Sequence, residues 1–204
     1  MTPWASGLGD AYTERFEPWD RRRARWAWLR PIVDEAVEDH RRVHTVLEVG
    51  CGVGANLLAL TTLSGSGDAI QATGLDVNPM AVEKANAAGL DVRLGDGLAL
   101  PFGAAAFDLV LTCGYLIHLP PESLAQAVDE LVRVSARWVL IGEYFAPTDE
   151  ALPYQGHSAV DGLLFRRNYG RLFLARGLTC SDYGFVWKDL DELDNLTWWL
   201  FKKP

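Results

Sequence analysis

Three glycines fall within five residues in VLEVGCGVG, residues 46–54, directly after an apolar run. Bare backbone where a strand gives way to a helix lets a ligand lie across amide N–H groups, at the positive end of the helix dipole. Asp76 ends the next apolar run, about 20 residues on, where a carboxylate can accept hydrogen bonds from both hydroxyls of a ribose. Gly50, Cys51, Gly52, Gly54 and Asn56 on one side, and Asp76, Val77 and Asn78 on the other, thus describe a site for a nucleoside-containing cofactor. The pattern G-x-G-x-x-G/A, met by Gly50, Gly52 and Ala55, is shared by dinucleotide sites and leaves the cofactor open.

Such a loop needs a parallel sheet to carry it. TVLEV, AIQATGLDV, DVRLG, FDLVLTC and RWVLIGEYF read as strands, and helical stretches begin at about Val53, about Pro79 and Glu122. That alternation predicts strands covered by helices on both faces. Residues 17–42 have a helical period through Trp26, Leu29, Val33 and Val37, with Pro31 as a possible kink. Residues 146–161 read as a loop, a short helix is expected over 165–176, and SDYGFVWK and NLTWWLF read as an antiparallel pair closing the sheet. The 204 residues predict one domain: lid and helix in 1–42, a cofactor-binding core in 43–145, and an acceptor-side segment with the closing hairpin in 146–204.

Three features favour S-adenosylmethionine over a nicotinamide cofactor. Glu48 stands inside the first strand, where it can order the loop and the cofactor's amino-acid end; Asp96 and Gly97 follow the third strand, where they can meet an adenine edge. A helix precedes the first strand, and the chain closes with a hairpin instead of a second domain for a hydride acceptor. VLEVGCGVG, GLDVNP, GDGLALPF and FDLVLTCGYLIHLPPE together resemble the successive motifs of class I S-adenosylmethionine-dependent methyltransferases over residues 43–140. The resemblance implies a Rossmann-like α/β fold, with a seven-stranded, mostly parallel sheet, a C-terminal antiparallel hairpin and an N-terminal helical lid. GDAYTERF, LIHL, IGEYFAP, the stretch ending at His157, LLFRRNYG and DYGFVW are similar to methylases associated with pseudaminic acid biosynthesis. Phe16 departs from that pattern, standing where Asn is expected.

Methyl transfer from a sulfonium is an in-line displacement, and a base assists when the acceptor is a hydroxyl or an ammonium. His118 follows the fourth strand by a few residues and can take a proton near neutral pH, or can pack the loop before Pro120 and Pro121. Tyr12 can fold over the cofactor as a lid and hydrogen-bond His118, an arrangement resembling the Tyr and His pair of phosphoethanolamine methyltransferases. Glu143 ends the fifth strand and can bind an amine, act as base, or pair with an arginine. Arg15 is a candidate for the cofactor's carboxylate, and Cys113 for a contact through its backbone. Tyr115, Tyr144, His157 and Arg166 are the candidates for acceptor binding, with Arg167 beside them; a guanidinium there suits a carboxylate or phosphate, or is simply solvated.

The formal net charge of -8 disfavours long-range attraction to nucleic acid. The cluster Arg21, Arg22, Arg23 and Arg25 reads as a solvated helix face. Three scattered cysteines without a CxxC pair suggest a reduced, cytoplasmic protein and no metal site. No apolar stretch reaches the roughly 18 residues that span a bilayer. The expected activity is methylation of oxygen or nitrogen on a small polar metabolite (a sugar, aminosugar or natural-product intermediate) by a monomer or homodimer. A protein acceptor, or a fold that binds the cofactor without turnover, are the rivals.

Overall fold

In the computed structural model, residues 2–19, 23–25, 27–29, 43–63, 70–153, 164–191 and 193–204 are described. Seven strands form one sheet: β1 (Thr45–Val49), β2 (Gln71–Asp76), β3 (Asp91–Leu94), β4 (Phe107–Cys113), β5 (Ser135–Glu143), β8 (Thr179–Val186) and β9 (Leu196–Lys202). Their order is β3-β2-β1-β4-β5-β9-β8. The pairs from β3 to β5 are parallel, whereas β9 runs antiparallel to β5 and β8. The hairpin thus closes the sheet as its sequence suggests, with β8 at the edge.

Strand β1 shows why the run has no polar alternation. Val46 packs with Leu60, Trp28 and Leu29 on one face, while Leu47 and Val49 pack with Val128 and Leu131 on the other. A central parallel strand is covered on both sides and so is apolar on both. The covering helices are α2 (Ala55–Leu63), α3 (Pro79–Ala87) and α4 (Pro121–Val134). In α4, Leu124, Ala127, Val128, Leu131 and Val134 are buried at the helical period, and Pro121 occupies the first turn, where its missing N–H has no intrahelical partner to lose. This architecture is the Rossmann-like α/β fold that the motifs imply.

The structure differs from the sequence reading in the last third of the chain. Residues 146–161 are not all loop: β6 (Glu150–Leu152) pairs antiparallel with β7 (Leu164–Arg166) in a separate two-stranded sheet. The helix expected from Phe165 starts later, as α5 (Gly170–Leu174), because Phe165 and Arg166 are held in β7. A short α6 (Lys188–Asp191) lies between β8 and β9. Of the helix expected over 17–42, residues 23–25 and 27–29 are helical; Trp26, Pro31, Val33 and Val37 lie outside the described residues, as do Arg21, Arg22 and His157. The chain's N-terminal region forms a 3-10 turn (Pro3–Ala5) and α1 (Leu8–Thr13). Among the described residues no helix is long and apolar enough to cross a membrane.

Candidate functional site

The three glycines of the loop between β1 and α2 all have positive φ: +72° at Gly50, +54° at Gly52 and +78° at Gly54. Their surroundings differ. A Cβ on Gly50 would lie 2.8 Å from Cβ and Cδ2 of Tyr115, and one on Gly54 would lie 2.5 Å from Cδ1 of Leu90. A Cβ on Gly52 would meet nothing within 4 Å. Two glycines therefore serve packing, and the middle one borders open space. The Gly52 N–H donates to Oδ2 of Asp76 at 2.7 Å, so the loop and the carboxylate ending β2 form one unit. Asp76 also accepts the Asn78 N–H at 2.9 Å, and burial raises its pKa above the ordinary carboxylate value.

Behind the loop runs a buried polar chain. Nη1 of Arg25 donates to Oδ1 of Asn56 at 2.8 Å, and Nδ2 of Asn56 donates to Oε1 of Glu48 at 2.6 Å. Glu48 is 1% exposed, and burial, offset by Asn56 and Arg25, pushes its pKa up to about 7. Oε2 of Glu48 and Nε of Arg25 are buried and have no hydrogen-bond partner among the described residues. Sequence reasoning placed Arg25 on a solvated face; the structure turns it inward onto α2. Its only sequence signal was its place among the apolar positions of its helix, since the partner, Asn56, is 31 residues away.

Asn78, expected to touch the cofactor, has its side chain committed elsewhere. Its Oδ1 accepts the Ala81 N–H at 2.8 Å and caps α3, and its Nδ2 donates to Oδ1 of Asp10 at 2.8 Å and to the Trp4 carbonyl at 3.2 Å. Lys84 adds a second tether, donating to the Phe16 carbonyl at 2.5 Å and pairing with Glu17 at 2.8 Å. The N-terminal segment is thereby fastened to the end of β2 and to α3. Trp4, which the sequence reading passed over, lies against His118 with ring centroids 4.1 Å apart. Tyr12 meets Trp4 edge-on at 5.9 Å and Phe16 at 4.7 Å, and Arg15 lies over the Tyr12 and Phe16 rings.

His118 ends a 3-10 turn (Leu116–His118) that follows β4. Glu143 holds this turn in place. One carboxylate oxygen accepts the N–H groups of Tyr115 at 3.3 Å and Leu116 at 3.0 Å and the Thr112 hydroxyl at 3.2 Å; the other accepts the Ile117 N–H at 3.2 Å. Glu143 is 0% exposed, and burial, partly offset by these bonds, pushes its pKa up to about 7. The expected contact of Glu143 with an acceptor amine or proton is therefore corrected: its oxygens are turned to the backbone before His118. The far end of the turn is held by Nη1 of Arg167, which donates to the Leu119 carbonyl at 2.9 Å.

Tyr115 also moves from its expected place on the acceptor side. Its ring lies against Gly50, and a Cβ on Gly97 would overlap its hydroxyl, so it flanks the glycine loop. Asp96 is exposed at the rim, its carboxylate accepting the Leu98 N–H at 2.9 Å. Val77 is half-buried beside Asp76. Burial pushes the Cys113 thiol up to about 12, so it is no thiolate at neutral pH. Tyr144 is half-buried, packed against both core clusters. Arg166 is exposed and pairs with Glu150 at 3.4 Å, which removes it from the ends of β4 and β5 and leaves its neighbour Arg167 facing them.

Residues 46–137 match the model of a family described as a methyltransferase domain. The chain is similar to methyltransferase domains over that segment. Over 120 residues it is 30% identical to ajmaline N-methyltransferase of Rauvolfia serpentina, and over 123 residues 33% identical to 24-methylenesterol C-methyltransferase 2 of Oryza sativa subsp. japonica. Each match covers 52% of this chain; the chain spans 39% and 32% of those relatives' lengths. The magnesium protoporphyrin IX methyltransferase of Synechocystis PCC 6803, solved with S-adenosylmethionine bound, superposes with a TM-score of 0.67 over 99% of this chain and 94% of that one. At 16% identity, this last likeness is one of fold. The matched segment contains the glycine loop, Asp76, the His118 turn and the whole of α4.

Proposed function

We propose that the chain is an S-adenosylmethionine-dependent methyltransferase acting on oxygen or nitrogen of a small polar metabolite. The observation that carries the reading is the opening at Gly52, the one glycine of the loop whose missing side chain leaves space unfilled by protein, beside the Asp76 carboxylate. S-Adenosylmethionine fits the residues around it. Asp76 would hold the ribose, Val77, Asp96, Gly97 and Tyr115 would border the adenine, and the Glu48–Asn56–Arg25 chain would face the amino-acid end. Oε2 of Glu48 and Nε of Arg25, buried and unpartnered among the described residues, would be the acceptor and the donor for the cofactor's ammonium and carboxylate.

When bound, the cofactor supplies an electrophilic methyl group on sulfur, open to in-line attack. His118 takes the acceptor's proton at an imidazole nitrogen, at the carboxyl ends of the parallel strands. Glu143 fixes the turn from which His118 projects, and so acts on the reaction through His118. Trp4 covers the imidazole and, with α1, keeps water from the reacting atoms. Similarity to methylases associated with pseudaminic acid biosynthesis favours a sugar or aminosugar acceptor. The N- and C-methyltransferases among its relatives act, by name, on an alkaloid and a sterol, so a natural-product intermediate remains part of the proposal. Calorimetric titration tests the cofactor assignment: saturable binding of S-adenosylhomocysteine without binding of NAD supports it, and the reverse selectivity overturns it.

A further inference from the structure

Arg167 directly follows β7 and is 3% exposed. Its N–H donates to the Tyr144 carbonyl at 3.2 Å and its own carbonyl accepts the Ala146 N–H at 3.3 Å, which fixes it beside the chain leaving β5. Its guanidinium lies 3.9 Å from the centroid of the Phe165 ring, and Nη1 donates to the Leu119 carbonyl, one residue past His118. The remaining donors are poorly served. Among the described residues, Nε reaches Oδ2 of Asp149 at 3.5 Å, outside good hydrogen-bond geometry and on a side chain 75% exposed, the Tyr169 hydroxyl lies beside the guanidinium, and Nη2 has no partner of good geometry.

Desolvating a guanidinium costs several kcal/mol unless its charge is paired and its N–H groups are bonded. Here the Leu119 bond uses one donor and leaves Nε and Nη2 together. Those two atoms form one edge of the guanidinium plane, the fork that binds a carboxylate or phosphate through two parallel bonds. Arg166 offers a contrast within the same strand end: it is exposed and paired with Glu150. We infer that the Nε and Nη2 edge of Arg167 anchors a carboxylate or phosphate on the methyl acceptor, which makes the acceptor an anionic metabolite. The inference rests on the methyltransferase reading and deepens it.

The test is thermal unfolding in sodium phosphate and in sodium acetate against sodium chloride at equal ionic strength, with and without S-adenosylhomocysteine. Wild type and Arg166→Gln are expected to gain about 2 °C or more in one of the two anions, and Arg167→Gln to gain nothing. Phosphate alone would mark a phosphorylated acceptor, acetate a carboxylic acid. Should Arg167→Gln fail to fold, Arg167→Lys keeps the charge without the fork and is expected to lose most of the shift. No anion effect in wild type, or an equal effect in the Arg167 variants, overturns the inference. So does a tenfold loss of S-adenosylhomocysteine affinity in Arg167→Gln, which would assign the edge to the cofactor's own carboxylate. Failure of wild type to bind S-adenosylhomocysteine would sink the methyltransferase reading instead, whatever the anions do.

Discussion

The Glu143 carboxylate accepts the backbone N–H of Leu116 at 3.0 Å, two residues before His118. With the bonds to Tyr115, Ile117 and Thr112, this ties the end of β5 to the turn after β4. Glu143→Ala leaves these donors buried and unsatisfied, at a cost of about 3 kcal/mol. It is also expected to lower kcat at least tenfold while cofactor affinity holds within about threefold, because the displaced group is His118. Glu143→Gln, which retains one acceptor oxygen, should recover part of the rate. Equal loss of cofactor binding in both variants would show that Glu143 merely supports the fold.

His118 and Asp76 are expected to separate cleanly. His118→Ala should slow methyl transfer by about 10² to 10⁴ with little change in cofactor affinity, and Asp76→Ala should weaken cofactor binding tenfold or more. Single-turnover rates and calorimetry on the two variants measure both quantities. A wild-type transfer rate in His118→Ala would remove it from the base role.

Glycine substitutions test the division of labour within the loop. In Gly54→Ala the new methyl meets Leu90 at positive φ, so stability falls, by roughly 1–3 kcal/mol. In Gly52→Ala the methyl enters open space, so the backbone strain of roughly 1 kcal/mol is the only folding cost and cofactor affinity takes the larger loss. Urea unfolding and calorimetry on the pair distinguish the two effects. Equal affinity of Gly52→Ala and wild type would mean the space at Gly52 is not where the cofactor lies.

The two buried acids make stability depend on pH in a stated direction. Glu48 and Glu143 both have pKa values raised by burial from the ordinary 4.5 to about 7 in the folded chain. Between those values the folded state binds protons that the unfolded state has released. Unfolding free energy therefore falls as pH rises from about 4.5 to about 7, by up to roughly 3 kcal/mol for each group. Asp108 and Glu130 have lowered pKa values and act below that window, where stability is lost as pH falls. Urea midpoints across pH 5 to 7.5 should fall for wild type and fall less steeply for Glu48→Gln; parallel slopes would contradict the assignment.

How far the sequence carried depended on whether the relevant contact was local. The apolar runs of β1, β4 and β5 and the glycine loop are read correctly because central parallel strands covered on both faces leave few alternatives. His118 and Glu143 are singled out by position after β4 and β5, but the bond network between them depends on two segments about 27 residues apart meeting in space. Arg25 looks solvated in a run of arginines because nothing local announces Asn56. The three-residue strands β6 and β7 are too short for an alternating pattern, and Phe165 and Arg166 fit a helix until Glu150–Leu152 pairs with them. Trp4 carried no signal before the tether through Asn78 brought it to the imidazole.

The central claim is most directly tested by supplying S-adenosylmethionine with an isotopically labelled methyl group to the purified protein. Nucleotide-sugar, free-sugar and metabolite-extract pools serve as acceptors, and mass spectrometry identifies the products. Label is expected in a small anionic molecule, on oxygen or nitrogen, and is expected to vanish in Asp76→Ala at limiting cofactor. No labelled small molecule from any pool, with S-adenosylmethionine bound and the protein folded, would contradict the account.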